Sequence, residues 1–164
     1  MCQPDRGSQA KREFLADPRL LLAQDPATPH ARLGEAAESL RALTAIAARS
    51  GCRGRVSAED FLPELLVADS PEVADRIVRR VFGPLERAGP MDLAVTLRCL
   101  ATHGFDSAAT AAALPVHINT LLYRISRIEK LTGLSLKEHR NRTLVILAVT
   151  WETISGNERP APAE

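Results

Sequence analysis

Aromatic residues are scarce in this chain, with Phe 4, Tyr 1 and Trp 1 among 164 residues. A platform on which single-stranded bases stack needs several such rings on one surface, so single-strand recognition is a poor reading. Cysteine is scarcer still, at Cys 3. Cys2, Cys52 and Cys99 are odd in number and form no C-x-x-C, which argues against a disulfide scaffold or a zinc ribbon and for a reducing, cytoplasmic setting. No apolar run approaches the ~18 residues of a membrane span, and no basic, apolar and cleavage segments open the sequence, so no membrane association is expected. His30, His103, His117 and His139 do not recur at metal-ligand spacing. A Gly-rich phosphate loop, H-E-x-x-H and G-x-S-x-G are all missing. The acids that do cluster, Glu59-Asp60 and Asp69, sit at helix starts, where capping accounts for them. The expectation is therefore no catalytic residue, no metal and no cofactor. Charge of one sign is lacking too: Lys+Arg 21 against Asp+Glu 20 leaves +1. No global field draws such a chain to a polyanion, so nucleic-acid binding has to come from a local patch.

What is present is ordinary globular material, 45% hydrophobic and 25% charged, enough for one domain or two small ones. Residues 1–30 carry Pro4, Pro18, Pro26 and Pro29 without a sustained period and read as a poorly ordered tail with at most one short helix. Leu33, Ala36, Leu40, Leu43 and Ile46 then recur three or four apart, a helix that Gly51 ends. Arg53-Gly54-Arg55-Val56 reads as one short strand for which nothing else offers a partner. Ser57 reads as an N-cap, with Glu59 and Asp60 favouring the positive helix end. Ser70 with Pro71 opens another helix, expected to bury Val73, Ile77, Val81 and Leu85 and to fray at Gly83-Pro84. The expected division is a helical module over 31–88, a boundary at Gly89-Pro90, a compact domain over 91–155 and a disordered tail over 156–164.

Within that domain, Leu93, Leu97 and Leu100 face inward from a helix running from Asp92 to Thr102. Cys99 beside them reads as a small core residue rather than a nucleophile. Asp106 or Ser107 caps an alanine-rich helix to Leu114. After Leu114-Pro115-Val116-His117 the next helix spans about Ile118 to Thr132 and stops at Gly133, with Leu134 covering its end. A last helix near Arg140 to Ile154 places Leu144, Leu147, Trp151 and Ile154 at helical spacing. It either closes the domain's own core or exposes a stripe for a partner chain, which makes a homodimer or higher homo-oligomer an expectation.

Ser107–Ile125 has the anatomy of a helix-turn-helix. Ala111 is small where two helices cross, Leu114 and Val116 flank the turn, and Leu121, Ile125 and Ile128 form the inward stripe. At ~100° per residue from His117, that stripe falls between about 20° and 80°, whereas Asn119, Lys130, Tyr123 and Arg127 fall between about 200° and 280°. A second helix presented this way fits a major groove. Asn119 can pair with adenine, Thr120 can meet a phosphate or a thymine methyl, and Arg127 can read guanine or hold a phosphate. Tyr123 offers a hydroxyl and a ring edge, and Arg124 lies to the side, where it suits a phosphate. From His117 to Arg142 there are six cations (Arg124, Arg127, Lys130, Lys137, Arg140, Arg142) against Glu129 and Glu138, a local excess of +4 in a chain of net +1.

The run His117-Ile118-Asn119-Thr120-Leu121-Leu122-Tyr123-Arg124-Ile125, followed by Arg127-Ile128-Glu129-Lys130-Leu131-Thr132-Gly133-Leu134, resembles the C-terminal helix-turn-helix of PucR/CdaR-type bacterial transcription regulators, whose pattern reads roughly HRNTLRYRLRRIEELTGL. The resemblance extends over residues 33–152 and is specific over 91–150; residues 33–88 resemble the end of the GGDEF-like region that precedes that domain. It implies a mostly α fold with a Fis-like C-terminal helix-turn-helix behind a short helical module with at most one short strand. It implies sequence-specific binding of double-stranded DNA in transcription control. His117, Asn119, Thr120 and Tyr123 would then meet bases, and Arg124, Arg127, Lys130, Lys137 and Arg140 phosphates. Ile118 and Leu122 stand where the family usually has arginine, and Pro115 occupies the turn. On the helical wheel Ile118 and Leu122 widen the apolar stripe. They favour an alternative, a truncated interaction module that dimerises with a full-length regulator without gripping DNA.

Overall fold

The computed structural model describes residues 20–24, 32–88 and 92–156. The chain divides into two compact units between Leu66 and Val67. Both are mostly helical, and the described residues contain one two-stranded sheet.

The first unit is built on a parallel strand pair, β1 (Leu21–Gln24) and β2 (Gly54–Ser57), joined through helix α1 (Leu33–Arg49). Parallel strands cannot be closed by a hairpin, and a helix of this length supplies the crossover they need. The register runs from Leu21 opposite Gly54 to Gln24 opposite Ser57. The strand expected around Arg53–Val56 is thus present, and it does have a partner. That partner lies inside the stretch read as tail or short helix; the rest of that stretch, 1–19 and 25–30, lies outside the described residues, as does 157–164. α1 buries Leu43, Ile46 and Ala47, β2 buries Val56, and Phe61 is buried beyond it. Ser57 caps a 3₁₀ turn (Ala58–Phe61), its backbone N–H and its hydroxyl both donating to the Asp60 carboxylate at 3.0 and 2.8 Å. These two bonds hold the Asp60 carboxyl below its ordinary pKa, the backbone bond contributing most. Helix α2 (Leu62–Ala68) follows.

The second unit contains α3 (Pro71–Val81), a single turn α4 (Gly83–Glu86), α5 (Leu93–Thr102), α6 (Ser107–Ala113), α7 (Ile118–Thr132) and α8 (His139–Ser155). Two expectations about α3 change. Val73 is 53% exposed, and Ala74 is buried in its place, so the inward face is rotated to Ala74, Ile77, Val78 and Val81. The chain also does not fray at Gly83-Pro84 but turns once more as α4, with Phe82 and Leu85 buried. Val81, Phe82 and Leu85 join Leu93, Leu97, Leu100, Ile128 and Val145 in one core. The compact division therefore lies ahead of α3, not at Gly89-Pro90.

Polar contacts explain why α3 belongs with the later helices. The Trp151 indole N–H donates to the Asp75 carboxylate at 2.7 Å, tying α8 to α3. Arg80 donates to the Thr132 carbonyl at 2.7 Å, placing a cation on the negative end of α7. Val145 and Ala148 of α8 lie in the unit's own core with Leu144 and Val149 packed against it, the first of the two roles open to the last helix, while Trp151 is half-buried beside them. Arg98 on α5 grips Glu152 on α8 through two hydrogen bonds of 2.7 Å, with its guanidinium over the Phe82 ring at 4.4 Å.

Candidate nucleic-acid interface

α6 and α7 form the helix-turn-helix, and local chemistry sets each boundary. Asp106 caps α6, its carboxylate accepting from the N–H groups of Ala108 and Ala109 at 2.7 and 3.0 Å. Gly104 and Phe105, both at positive φ, make the turn before it. Between the helices, Leu114 donates to the Thr110 carbonyl and Val116 to that of Ala111, so the link folds back on α6 before α7 begins. His117 is the N-cap of α7, its Nδ1 accepting from the Asn119 N–H at 3.2 Å. Gly133, at φ 67°, ends α7 in the left-handed conformation, and Leu134 is buried behind it. Thr132 completes the stop, donating to the Ile128 carbonyl and accepting from the Leu134 N–H.

The inward stripe of α7 is as read: Leu121 and Ile128 are fully buried and Ile125 is half-buried against the core. On the far side His117, Asn119, Thr120, Tyr123, Arg127 and Lys130 are all exposed, Tyr123 by 62%. Ile118 and Leu122 do not widen the buried stripe; they are 36% and 50% exposed. The neighbouring helices pack on the Leu121–Ile125–Ile128 side, and these two side chains stand at its outer margin. Leu122 borders a half-open cleft of ≈ 200 Å³ whose walls include Leu100, Phe105, Ser107 and Ile125. Ser126, not singled out in the sequence, is exposed as well and stands one turn beyond Leu122. Its helical spacing was the available signal, since i and i+4 share a face.

The cations separate into two groups. Arg127 and Lys130 project from α7, Lys137 lies in the loop after it, and Arg140 is in the first turn of α8; all four are exposed. Arg124, by contrast, is half-buried and donates to the Thr96 hydroxyl at 3.2 Å, bracing α7 against α5. Arg142 is also structural: it donates to the Leu136 carbonyl and lies over the Phe105 ring at 5.1 Å. The two acids of this stretch have local partners. Glu129 accepts from the Leu136 N–H and Glu138 from the Asn141 side chain. From His117 to Ile128 there is no acidic residue. Cys99 is half-buried on α5, and burial raises its thiol pKa, which favours the unreactive thiol. Among the described residues no helix is long and apolar enough to cross a membrane.

This arrangement of two short-linked helices, with the second presenting a polar, acid-free face, lies within a stretch of the chain that matches a described domain. Residues 93–151 match the PucR C-terminal helix-turn-helix domain. This PucR-type domain is of the regulator kind and not an enzyme's. The chain is also 41% identical over 70 residues to the carbohydrate diacid regulator of Escherichia coli, covering 40% of this chain and 18% of the relative. Uncharacterized proteins of Mycobacterium bovis and Mycobacterium tuberculosis are 31% identical over 115 residues, 70% of this chain and 28% of theirs. The chain thus spans less than a third of the length of these curated relatives. No solved structure matches significantly. The PucR-type match begins at Leu93.

Proposed function

We propose that this chain binds double-stranded DNA sequence-specifically and acts in transcriptional regulation, with α7 of the PucR-type domain entering the major groove. The observation that carries the reading is the exposed face of α7, on which Asn119, Thr120, Tyr123 and Arg127 stand clear of the protein and no acid occurs before Glu129. Asn119, Thr120 and Tyr123, with His117 at the cap, would meet base edges. Arg127, Lys130, Lys137 and Arg140 would hold phosphates, with Arg124 contributing the N–H groups that Thr96 does not use. The chain would act in the cytoplasm as a homodimer or higher homo-oligomer, with half-sites ~34 Å apart or a multiple of that. Residues 33–88 would be the end of a GGDEF-like region; the parallel β1–α1–β2 unit supports an origin in a larger parallel sheet.

Binding to duplex DNA across salt tests this. If the four exposed cations each neutralise one phosphate, log K falls with log salt at a slope of about −3.6 per chain, a loss of roughly 150-fold between 50 and 200 mM. A chain that binds no duplex at low salt is instead the interaction module, and the DNA reading is wrong.

A further inference from the structure

Two exposed aliphatic side chains are ordinary on a protein surface; the position of Ile118 and Leu122 is not. They lie four residues apart, stacked on adjacent turns of one helix. That column runs beside the one formed by Asn119 and Tyr123, in the N-terminal half of the second helix of a helix-turn-helix, the part that meets base edges. Both side chains project beyond the buried stripe, 36% and 50% exposed. Leu122 lines a cleft together with Phe105 and Ile125 and is still half exposed.

The chemistry of an aliphatic group in a major groove is restrictive. It cannot hold a phosphate and cannot pair with the donors and acceptors of guanine, adenine or cytosine. The group on a base edge that it complements is the C5-methyl of thymine. Asn119, adjacent to Ile118, has the amide that pairs bidentately with adenine, and adenine stands opposite thymine. A helix reading adenine through Asn119 and the methyl groups of the same or the next pairs through Ile118 and Leu122 is therefore internally consistent. The spacing agrees: four residues rise ~6 Å along a helix, just under two base steps of ~3.4 Å. From His117 to Ile128 no acid occurs, so this stretch of α7 carries no charge that repels the DNA backbone.

We propose that Ile118 and Leu122 are specificity-determining residues that read thymine methyl groups, so that the duplex preferred by this chain has an A·T-rich centre under the first two turns of α7. This rests on the DNA-binding reading, and the test separates the two. The full chain is used to select duplexes from a random pool at low salt, and the preferred duplex is then remade with deoxyuridine in place of each thymidine, which removes the methyl and keeps every hydrogen bond. Wild-type affinity should fall roughly fourfold for each methyl contacted, and roughly fifteenfold for two. The Ile118→Ala/Leu122→Ala double variant, with an unchanged circular dichroism spectrum, should bind the thymine and uracil duplexes equally. Binding that is selective yet indifferent to the methyl overturns the thymine reading and leaves the DNA reading standing. Failure to bind any duplex overturns both. A double variant that changes the chain's mass in sedimentation while keeping the thymine-to-uracil ratio makes the patch a protein contact and also overturns the proposal.

Discussion

The Arg98–Glu152 pair sets a demanding test of how the second unit is held together. Two parallel 2.7 Å hydrogen bonds join side chains 54 residues apart. The carboxylate is only 8% exposed, the guanidinium side 32%. Arg98→Ala leaves a buried charge without its donors, a change that costs about 3–5 kcal/mol where water is excluded. Partial access of water on the arginine side moves the expectation to the lower end. The lost contact with the Phe82 ring, 4.4 Å away, restores about 0.5–1 kcal/mol to the total. The expected loss is thus about 3–4 kcal/mol, a large share of the 5–15 kcal/mol typical of a domain. Urea unfolding followed by Trp151 fluorescence measures it, because Trp151 is the single tryptophan and lies next to Glu152 in α8. Glu152→Gln keeps one acceptor for a cation that is half-exposed, so it should cost less than Arg98→Ala. Arg98→Met with Glu152→Leu together should return close to wild-type stability, since an apolar pair avoids desolvating either charge. A cost below about 1 kcal/mol for Arg98→Ala would refute the reasoning and class the pair with weak surface bridges.

Arg127→Ala should weaken duplex binding by about 1–3 kcal/mol if the side chain reads guanine and by less if it meets only a phosphate; fluorescence anisotropy against selected and scrambled duplexes distinguishes the two. Gly133→Ala should destabilise the second unit by about 1 kcal/mol, because a Cβ at φ 67° is strained although no atom stands within 4 Å of it; the urea midpoint with unchanged m value reports it. The Asp60 carboxyl, held low by Ser57, stabilises the folded first unit above its unfolded pKa, and that contribution is lost as pH falls through the folded value. An NMR titration of Asp60 should show a midpoint below that of an ordinary aspartate, and Ser57→Ala should move it upward. A midpoint unmoved by Ser57→Ala would remove the Ser57 hydroxyl from the account and leave the backbone N–H as the donor.

Much of the second unit was legible from sequence alone, and for a common reason: its boundaries are decided within a few residues. Asp106 caps α6 with its own carboxylate, His117 begins α7, and Gly133 ends it in a conformation that glycine adopts without strain. The inward positions Leu93, Leu97, Leu100, Leu121 and Ile128 follow from the 3.6-residue period, and all are buried. The exposed side of α7 followed from the same arithmetic.

Where the contact partner lies far along the chain, periodicity was silent. Leu21 and Gly54 pair across a whole helix, so neither strand carries a local sign of the other. Whether Val73 or Ala74 faces inward depends on how α3 is rotated against α8, and a helix with several apolar residues tolerates either choice. Arg124, Arg127 and Arg142 look alike in a charge count, yet Thr96 and the Phe105 ring engage the first and the last, while Arg127 projects outward. Local hydrogen bonding and helical period thus determined the elements and their two faces. The choice of which polar side chains brace the body and which face outward was made by contacts between helices, where geometry in three dimensions decides what a guanidinium can reach.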